Sequence, residues 1–80
     1  MMFRLTDKRG YDYYMPETNL PYQGYKNKLA GAVAYIRNAA EEGAWIKCSR
    51  VSLLRDTVMI LASEIYIIEE GKNENKDNRD

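Results

Sequence analysis

The sequence predicts a small α+β domain that has an N-terminal β-hairpin, one central α-helix and β-strands after it. Apolar and polar residues alternate at the start of the chain, apolar residues recur at helical spacing from Pro21 to Gly43, and Val and Ile are dense over Val51–Ile68. Eighty residues suffice for one domain with one core. We expect this domain to span residues 1–70. Residues 71–80 contain no apolar side chain and are expected to form a disordered polar tail.

The first predicted element is a β-hairpin over Met2–Met15. Phe3 and Leu5 alternate with polar residues, as in a strand with one buried face. The turn is expected at Asp7–Gly10, because glycine tolerates the positive φ that such turns require. Pro16 ends the second strand, since it has no N–H to donate. A hairpin is not stable alone, so it must pack on the helix or join a larger sheet.

The central helix is predicted over Pro21–Gly43. Proline suits a first helical turn, Asn19 is a candidate N-cap and Gly43 a candidate stop. Apolar residues at three- and four-residue steps indicate a face that packs on the core. They are Tyr22, Tyr25, Leu29, Ala32, Val33, Ile36, Ala39 and Ala40.

The opposite side of this helix carries no charge, whereas a solvated helix surface normally does. Its residues are Asn27, Gly31, Ala34, Tyr35 and Asn38. A glycine inside a helix costs about 1 kcal/mol relative to alanine, which indicates close backbone approach at Gly31. The face is either a weakly packed surface or a second buried face, against a partner helix or a ligand. For the second interpretation, the candidate oligomer interface is Asn27, Gly31, Ala34 and Asn38.

The segment after Gly43 fits two templates. Ala44–Ser49 is predicted to be a strand. Beyond it, apolar residues follow helical spacing, which allows a second long helix over residues 50–70 and a mainly α fold. We favour strands, because the segment is rich in Val and Ile and the first strand needs a partner. The expected strands are Ser49–Leu54 and Thr57–Ala62, joined by a turn at Arg55-Asp56, and then Ile65–Glu69.

Composition excludes several classes of function. Twelve basic and twelve acidic residues give no net charge, which argues against general nucleic-acid binding. The chain has no histidine and one cysteine, so neither a disulfide nor the usual Cys/His zinc site is expected, and we predict no metal or cofactor. A core this small favours association into a homo-oligomer. The lone cysteine and the lack of a leader or membrane-spanning run predict a cytoplasmic protein.

Catalysis is not expected, because no histidine is present to act as a general base or to activate a nucleophile. Cys48 is interpreted as a packed structural thiol. We therefore predict no catalytic residues.

Aromatic and basic residues are instead the candidates for binding a ligand or partner. They are Tyr11, Tyr13, Tyr25, Lys28, Tyr35 and Arg37. Bases stack on aromatic rings and arginine pairs with phosphates, but tyrosine and arginine also dominate protein–protein hot spots. Half-buried tyrosines with exposed hydroxyls are the structural alternative.

Three segments, FRLTDKRGYDYYMPE, GYKNKLAGAVAYIRNA and TVMILASEIYIIEEG, resemble small accessory proteins of phages and prophages of Gram-positive bacteria. The resemblance implies an inhibitor of host machinery, a class that includes anti-CRISPR proteins and oligomeric sponges for nucleotide immune signals. Such a protein acts in the cytoplasm of the host cell. The resemblance assigns no site residues.

Together these observations predict a non-enzymatic, oligomeric binding module that inhibits a host defence component. It would bind a protein target or sequester a nucleotide signal. The alternative is a nucleic-acid-binding accessory or regulatory protein, for which salt-sensitive binding to DNA or RNA is the expected property.

Overall fold

A computed structural model describes residues 1–51 and 56–71 and confirms the α+β class. The five strands are β1 (Met2–Asp7), β2 (Asp12–Pro16), β3 (Trp45–Cys48), β4 (Val58–Leu61) and β5 (Ile65–Gly71). Helix α1 spans Lys28–Glu41, and short 3-10 helices span Glu17–Asn19 and Ala62–Glu64. Of the tail predicted over residues 71–80, residues 72–80 lie outside the described residues.

The strands form a strongly curved antiparallel arrangement. One sheet has the order β2-β1-β5, β3 pairs with β4, and a single bridge between Tyr14 and Ser49 joins the two pieces. β4 and β5 therefore lie at opposite ends of the order β4-β3-β2-β1-β5, yet only Ala62–Glu64 connects them. Three residues span roughly 10 Å at most, so the strands must curl toward a partly closed barrel.

The N-terminal hairpin has the predicted turn, and the side chain of Asp7 holds it together. Asp7 as a whole residue is 2% exposed. Its carboxylate accepts hydrogen bonds from the backbone N–H groups of Arg9 (2.9 Å) and Tyr11 (3.0 Å), and from the hydroxyl of Tyr13 (3.2 Å). Gly10 has φ +94°, as the turn requires.

The helix begins later than predicted, at Lys28 and not at Pro21. Asn27 is its N-cap, since the side-chain oxygen of Asn27 accepts the N–H of Ala30 at 3.0 Å. Asn19, the predicted cap, instead donates its side-chain amide to the carbonyl of Lys47 at 3.0 Å. The predicted stop is confirmed, because Gly43 has φ +71° directly after the C-cap.

The core lies between α1 and the concave side of the strands. Ala32, Ile36 and Ala39 are the apolar residues of α1 that are fully buried. Tyr22, predicted to share this face, is 60% exposed because it precedes the helix. The buried apolar residues are Phe3, Leu5, Tyr13, Met15, Leu20, Ala32, Ile36, Ala39, Ile46, Cys48, Ile60 and Ala62.

Val58–Leu61 and Ile65–Gly71 form strands, so the alternative of one long helix over residues 50–70 is wrong. The predicted pairing of Ser49–Leu54 with Thr57–Ala62 is also wrong. β4 pairs with β3, with Trp45 opposite Leu61 and Cys48 opposite Val58. Residues 52–55 lie outside the described residues. Ile60 of β4 lies opposite Ile46 of β3, and both side chains are buried in the core.

The environment of Asp7 predicts acid sensitivity. Burial raises the pKa of Asp7, but the hydrogen bonds from Tyr11, Arg9 and Tyr13 outweigh burial and lower it below the ordinary value of 3.8. A lowered folded-state pKa means that the stabilisation is complete above about pH 4 and is lost as pH falls through the folded-state pKa. We expect the free energy of unfolding, measured in urea from neutral pH to about pH 2, to fall below pH 4.

Asp7→Asn should be less stable at neutral pH and should lose part of this acid dependence. The matched control is Asp12→Asn, at an exposed carboxylate that accepts one bond from the Thr6 hydroxyl. Equal acid dependence in Asp7→Asn and the wild type would contradict the assignment to Asp7.

Candidate functional site

The two predicted binding residues of the hairpin have different environments. Tyr13 is 7% exposed and its hydroxyl donates to Asp7, so it belongs to the core and is not available to a ligand. Tyr11 is 56% exposed, and the guanidinium of Arg9 lies 4.8 Å from its ring centre. That cation–π contact occupies one face of the Tyr11 ring.

Tyr25 and Lys28 lie at the start of α1. The ring of Tyr25 is half-buried and packs edge-on to Tyr22, with 5.0 Å between ring centres. The ammonium of Lys28 donates to the carbonyl of Gln23 at 2.6 Å. The lysine is thus engaged in closing the segment that leads into the helix.

The remaining two predicted binding residues lie on α1 itself. Tyr35 is part-buried and packs against the core, whereas Arg37 is exposed. The three pairs of candidates therefore lie in different places: in the N-terminal hairpin, at the helix start and along the helix. The described contacts join the six residues into no single pocket.

The four residues of the predicted oligomer interface on α1 also have different environments. Asn27 is committed to the N-cap. Gly31 does have a close neighbour, but it is the ring of Tyr25 in the same chain: a Cβ atom at Gly31 would lie 2.6 Å from Tyr25 Cγ. Ala34 and Asn38 are exposed, and their place in an oligomer interface stays a prediction.

The outer side of the β3–β4 hairpin exposes large apolar side chains that the sequence reasoning did not single out. Trp45 is 55% and Met59 54% exposed. The register places Trp45 opposite Leu61 and Lys47 opposite Met59 on one side of the hairpin. We call these four residues the hairpin face. Buried and exposed residues alternate along β3: Ile46 and Cys48 are buried, whereas Trp45 and Lys47 are exposed. This alternation is the sequence signal that could have revealed the hairpin face.

A second exposed apolar region is a groove between α1 and β5, with a volume of about 390 Å³. Tyr66, which is 73% exposed, lies on its strand side, and Arg37 and Glu41 lie on its helix side. Its other lining residues are Ile36, Ala40, Ala62, Ser63, Ile65 and Ile68.

The polar pocket beside β3 offers little to catalysis. It measures about 170 Å³, and the hydroxyl of Ser49 donates there to the carboxylate of Asp56 at 2.7 Å. This bond, partly opposed by burial, lowers the pKa of Asp56 and makes the carboxylate a weak base toward the serine. Burial and the charge of Asp56 raise the pKa of Cys48 to about 11, so the thiol stays protonated at neutral pH.

Two structural features that would indicate other classes are missing from residues 1–51 and 56–71. No group of three or more Cys, Asp or Glu side chains is arranged to hold a metal ion. Helix α1, with 14 residues, is too short and insufficiently apolar to cross a membrane, and no other described helix does so.

The chain matches no family model, no curated protein and no solved structure.

The contact between Gly31 and Tyr25 predicts an unusual response to mutation. Alanine is the better helix former by about 1 kcal/mol, but Gly31→Ala must displace the Tyr25 ring. We expect Gly31→Ala to lower the free energy of unfolding by about 1–3 kcal/mol, as overpacking does. In the Tyr25→Ala background the same change should stabilise by up to about 1 kcal/mol.

A double-mutant cycle by urea unfolding measures this coupling. If Gly31→Ala has the same effect with and without the Tyr25 ring, the ring is not the reason for the glycine. Ala34→Gly, at an exposed position of the same helix, controls for helix propensity alone.

The burial of Cys48 predicts a protected thiol. With a pKa of about 11, roughly a thousandth of the thiol is ionised at pH 8. We expect Ellman's reagent to react with the native protein roughly a hundredfold or more slowly than with the urea-unfolded protein. Comparable rates in the two states would show that Cys48 is accessible and reactive.

Proposed function

We propose that this protein is a non-catalytic binding module that recognises a protein partner through the hairpin face. The observation that carries the proposal is the exposure of Trp45 and Met59, which are diagonal neighbours on one side of the paired strands β3 and β4. Tryptophan is the residue most enriched at binding hot spots, and methionine adapts to varied apolar partners. Neither side chain contributes to the core of this chain.

The charge on the hairpin face defines the partner further. Lys47 lies between the apolar residues, opposite Met59, and is exposed. The exposed Arg50 follows two residues after β3. A partner that inserts an apolar side chain beside Trp45 and carries carboxylates near Lys47 complements this surface. The hairpin face therefore suits an acidic, apolar protein segment.

The polar groups elsewhere support binding over catalysis. Cys48 is buried with a raised pKa, and Ser49 donates its hydroxyl to an exposed carboxylate of lowered pKa. Neither arrangement activates a nucleophile. The hydrogen bonds of Asp7 all serve the hairpin turn.

For the biological role, the resemblance to phage and prophage accessory proteins supports an inhibitor of a host component. In this role the hairpin face would cover a surface that the host protein needs, in the cytoplasm of the host cell. Sequestration of a nucleotide signal has less support, because Tyr11, Tyr13 and Lys28 are engaged in separate local contacts.

Single-stranded nucleic acid is the second candidate for the hairpin face, since an exposed tryptophan beside a lysine can stack a base and pair with a phosphate. Trp45 is the only tryptophan of the chain, so its fluorescence reports on this surface alone. Quenching by oligonucleotides that weakens with added salt would favour nucleic acid over a protein partner.

The protein-binding proposal predicts a cross-link that depends on Trp45. Met59 is replaced by the photoreactive residue p-benzoylphenylalanine, and the variant is irradiated in a lysate of a Gram-positive bacterium. We expect a protein adduct that unlabelled wild type suppresses. Trp45→Ala should need about thirtyfold more protein to suppress it, because hot-spot truncation costs about 2 kcal/mol or more.

Tyr11→Ala is the matched control, at an aromatic residue that is equally exposed but lies in the other hairpin. It should compete as well as the wild type. Equal competition by Trp45→Ala, or failure of every variant to form a protein adduct, would contradict a protein-binding hairpin face.

A further inference from the structure

Strand β5 lies at the end of its sheet, and its register with β1 shifts at Tyr66, which has no partner residue on β1. Within the described residues it pairs with β1 on one side and with no strand on the other. It has seven residues and is the longest strand described. An exposed strand edge carries unpaired N–H and C=O groups that pair readily with another strand.

The side chains along this edge are apolar where a solvated edge would be charged. Tyr66 is 73% and Ile67 41% exposed, and Ile65 and Ile68 are only part-buried. The groove of about 390 Å³ runs between the strand and α1, and Ile36 and Ala40 lie on its helix side. The edge and the groove together form one continuous surface, which we call the β5 edge.

We propose that the β5 edge is the interface of a homodimer, in which β5 of a second copy pairs antiparallel with β5. The hairpin face lies on other strands, so this inference goes beyond the proposed partner-binding function and stands or fails separately. A twofold axis makes the contact self-complementary, so that each interaction occurs twice.

The charges of β5 favour an antiparallel second copy. The strand is apolar over Ile65–Ile68 and acidic at Glu69 and Glu70. Parallel pairing in register would place like carboxylates side by side, which is destabilising. Antiparallel pairing centred on Ile68 instead separates the two Glu70 residues by four positions, roughly 13 Å along the strand.

The same register brings Glu70 close to a residue of opposite charge on the other copy. Its register with β1 puts Glu70 on the side of the sheet that carries the buried Phe3, the side on which α1 packs. Pairing centred on Ile68 places Glu70 of the second copy opposite Tyr66, across the groove from Arg37. Within residues 1–51 and 56–71, neither Arg37 nor Glu70 forms an ion pair.

Self-association would also compensate for the limited stability that a small core provides. A chain of this length buries a modest share of its surface and has no disulfide. The exposed Ala34 and Asn38 lie three residues before Arg37 and Glu41 on α1, so the second copy would approach the helix beside these two charged side chains of the groove. The proposal thus keeps the homo-oligomer predicted from the sequence, but it places the centre of the interface at β5 and not at Gly31.

Sedimentation velocity of the purified chain tests the proposal, with charge reversal at the two proposed partners. We expect the wild type to sediment as a dimer. Arg37→Glu and Glu70→Arg should each raise the dimer dissociation constant roughly tenfold or more, and the double variant should recover most of the loss. Both residues are exposed, so folding should be unaffected.

Glu42→Arg is the control, at an exposed residue of the helix C-terminus outside the groove. Hydrogen exchange supplies a second readout, since the amides of β5 should be more protected in the dimer than in Arg37→Glu. A wild-type monomer at hundred-micromolar concentration would overturn the proposal and leave the β5 edge free for an extended peptide. A dimer that resists both single reversals would place the interface elsewhere. The hairpin-face cross-link is not expected to change in either case.

Discussion

The short connection between β4 and β5 is the constraint on which the rest of the structure depends. These strands lie at opposite ends of the strand order, and Ala62–Glu64 joins them directly. Ala62 is 1% exposed, and its N–H donates to the carbonyl of Ala44 at 3.0 Å, while Glu64 accepts the N–H of Lys8. The strands must therefore curl around one core, and α1 closes the side that remains open.

This curvature explains where apolar residues are left at the surface. A small curled sheet has one concave side, which Phe3, Leu5 and Ile46 fill. Among residues 1–51 and 56–71, no further layer covers the convex side of β3 and β4, so Trp45 and Met59 are exposed. The strand order also leaves an edge of β5 without a partner among the described residues. Both proposed interaction surfaces are thus consequences of one topology, and they lie on different strands.

Local packing accounts for residues that suggested function in the sequence. Tyr13 satisfies a buried carboxylate, Tyr25 covers Gly31, and Lys28 closes onto the carbonyl of Gln23. In each case, a polar or aromatic group stabilises the junction between an irregular segment and a regular element. In this chain, tyrosine and basic residues therefore stabilise the junctions between secondary-structure elements. Their abundance is not by itself a sign of a ligand pocket.

The sequence by itself determined the elements whose signals are local. Alternation defines β1, and tyrosines that favour strands indicate β2. Gly10 and Gly43 mark a turn and a helix stop because both adopt positive φ, and the density of Val and Ile selects strands after position 57. Only the tertiary structure decided which strands pair, since β1 pairs with β5 and places Met2 opposite Gly71, far away in the sequence. It also decided that Tyr13 is buried and Trp45 exposed, because periodicity gives two faces but does not tell which one the core will cover.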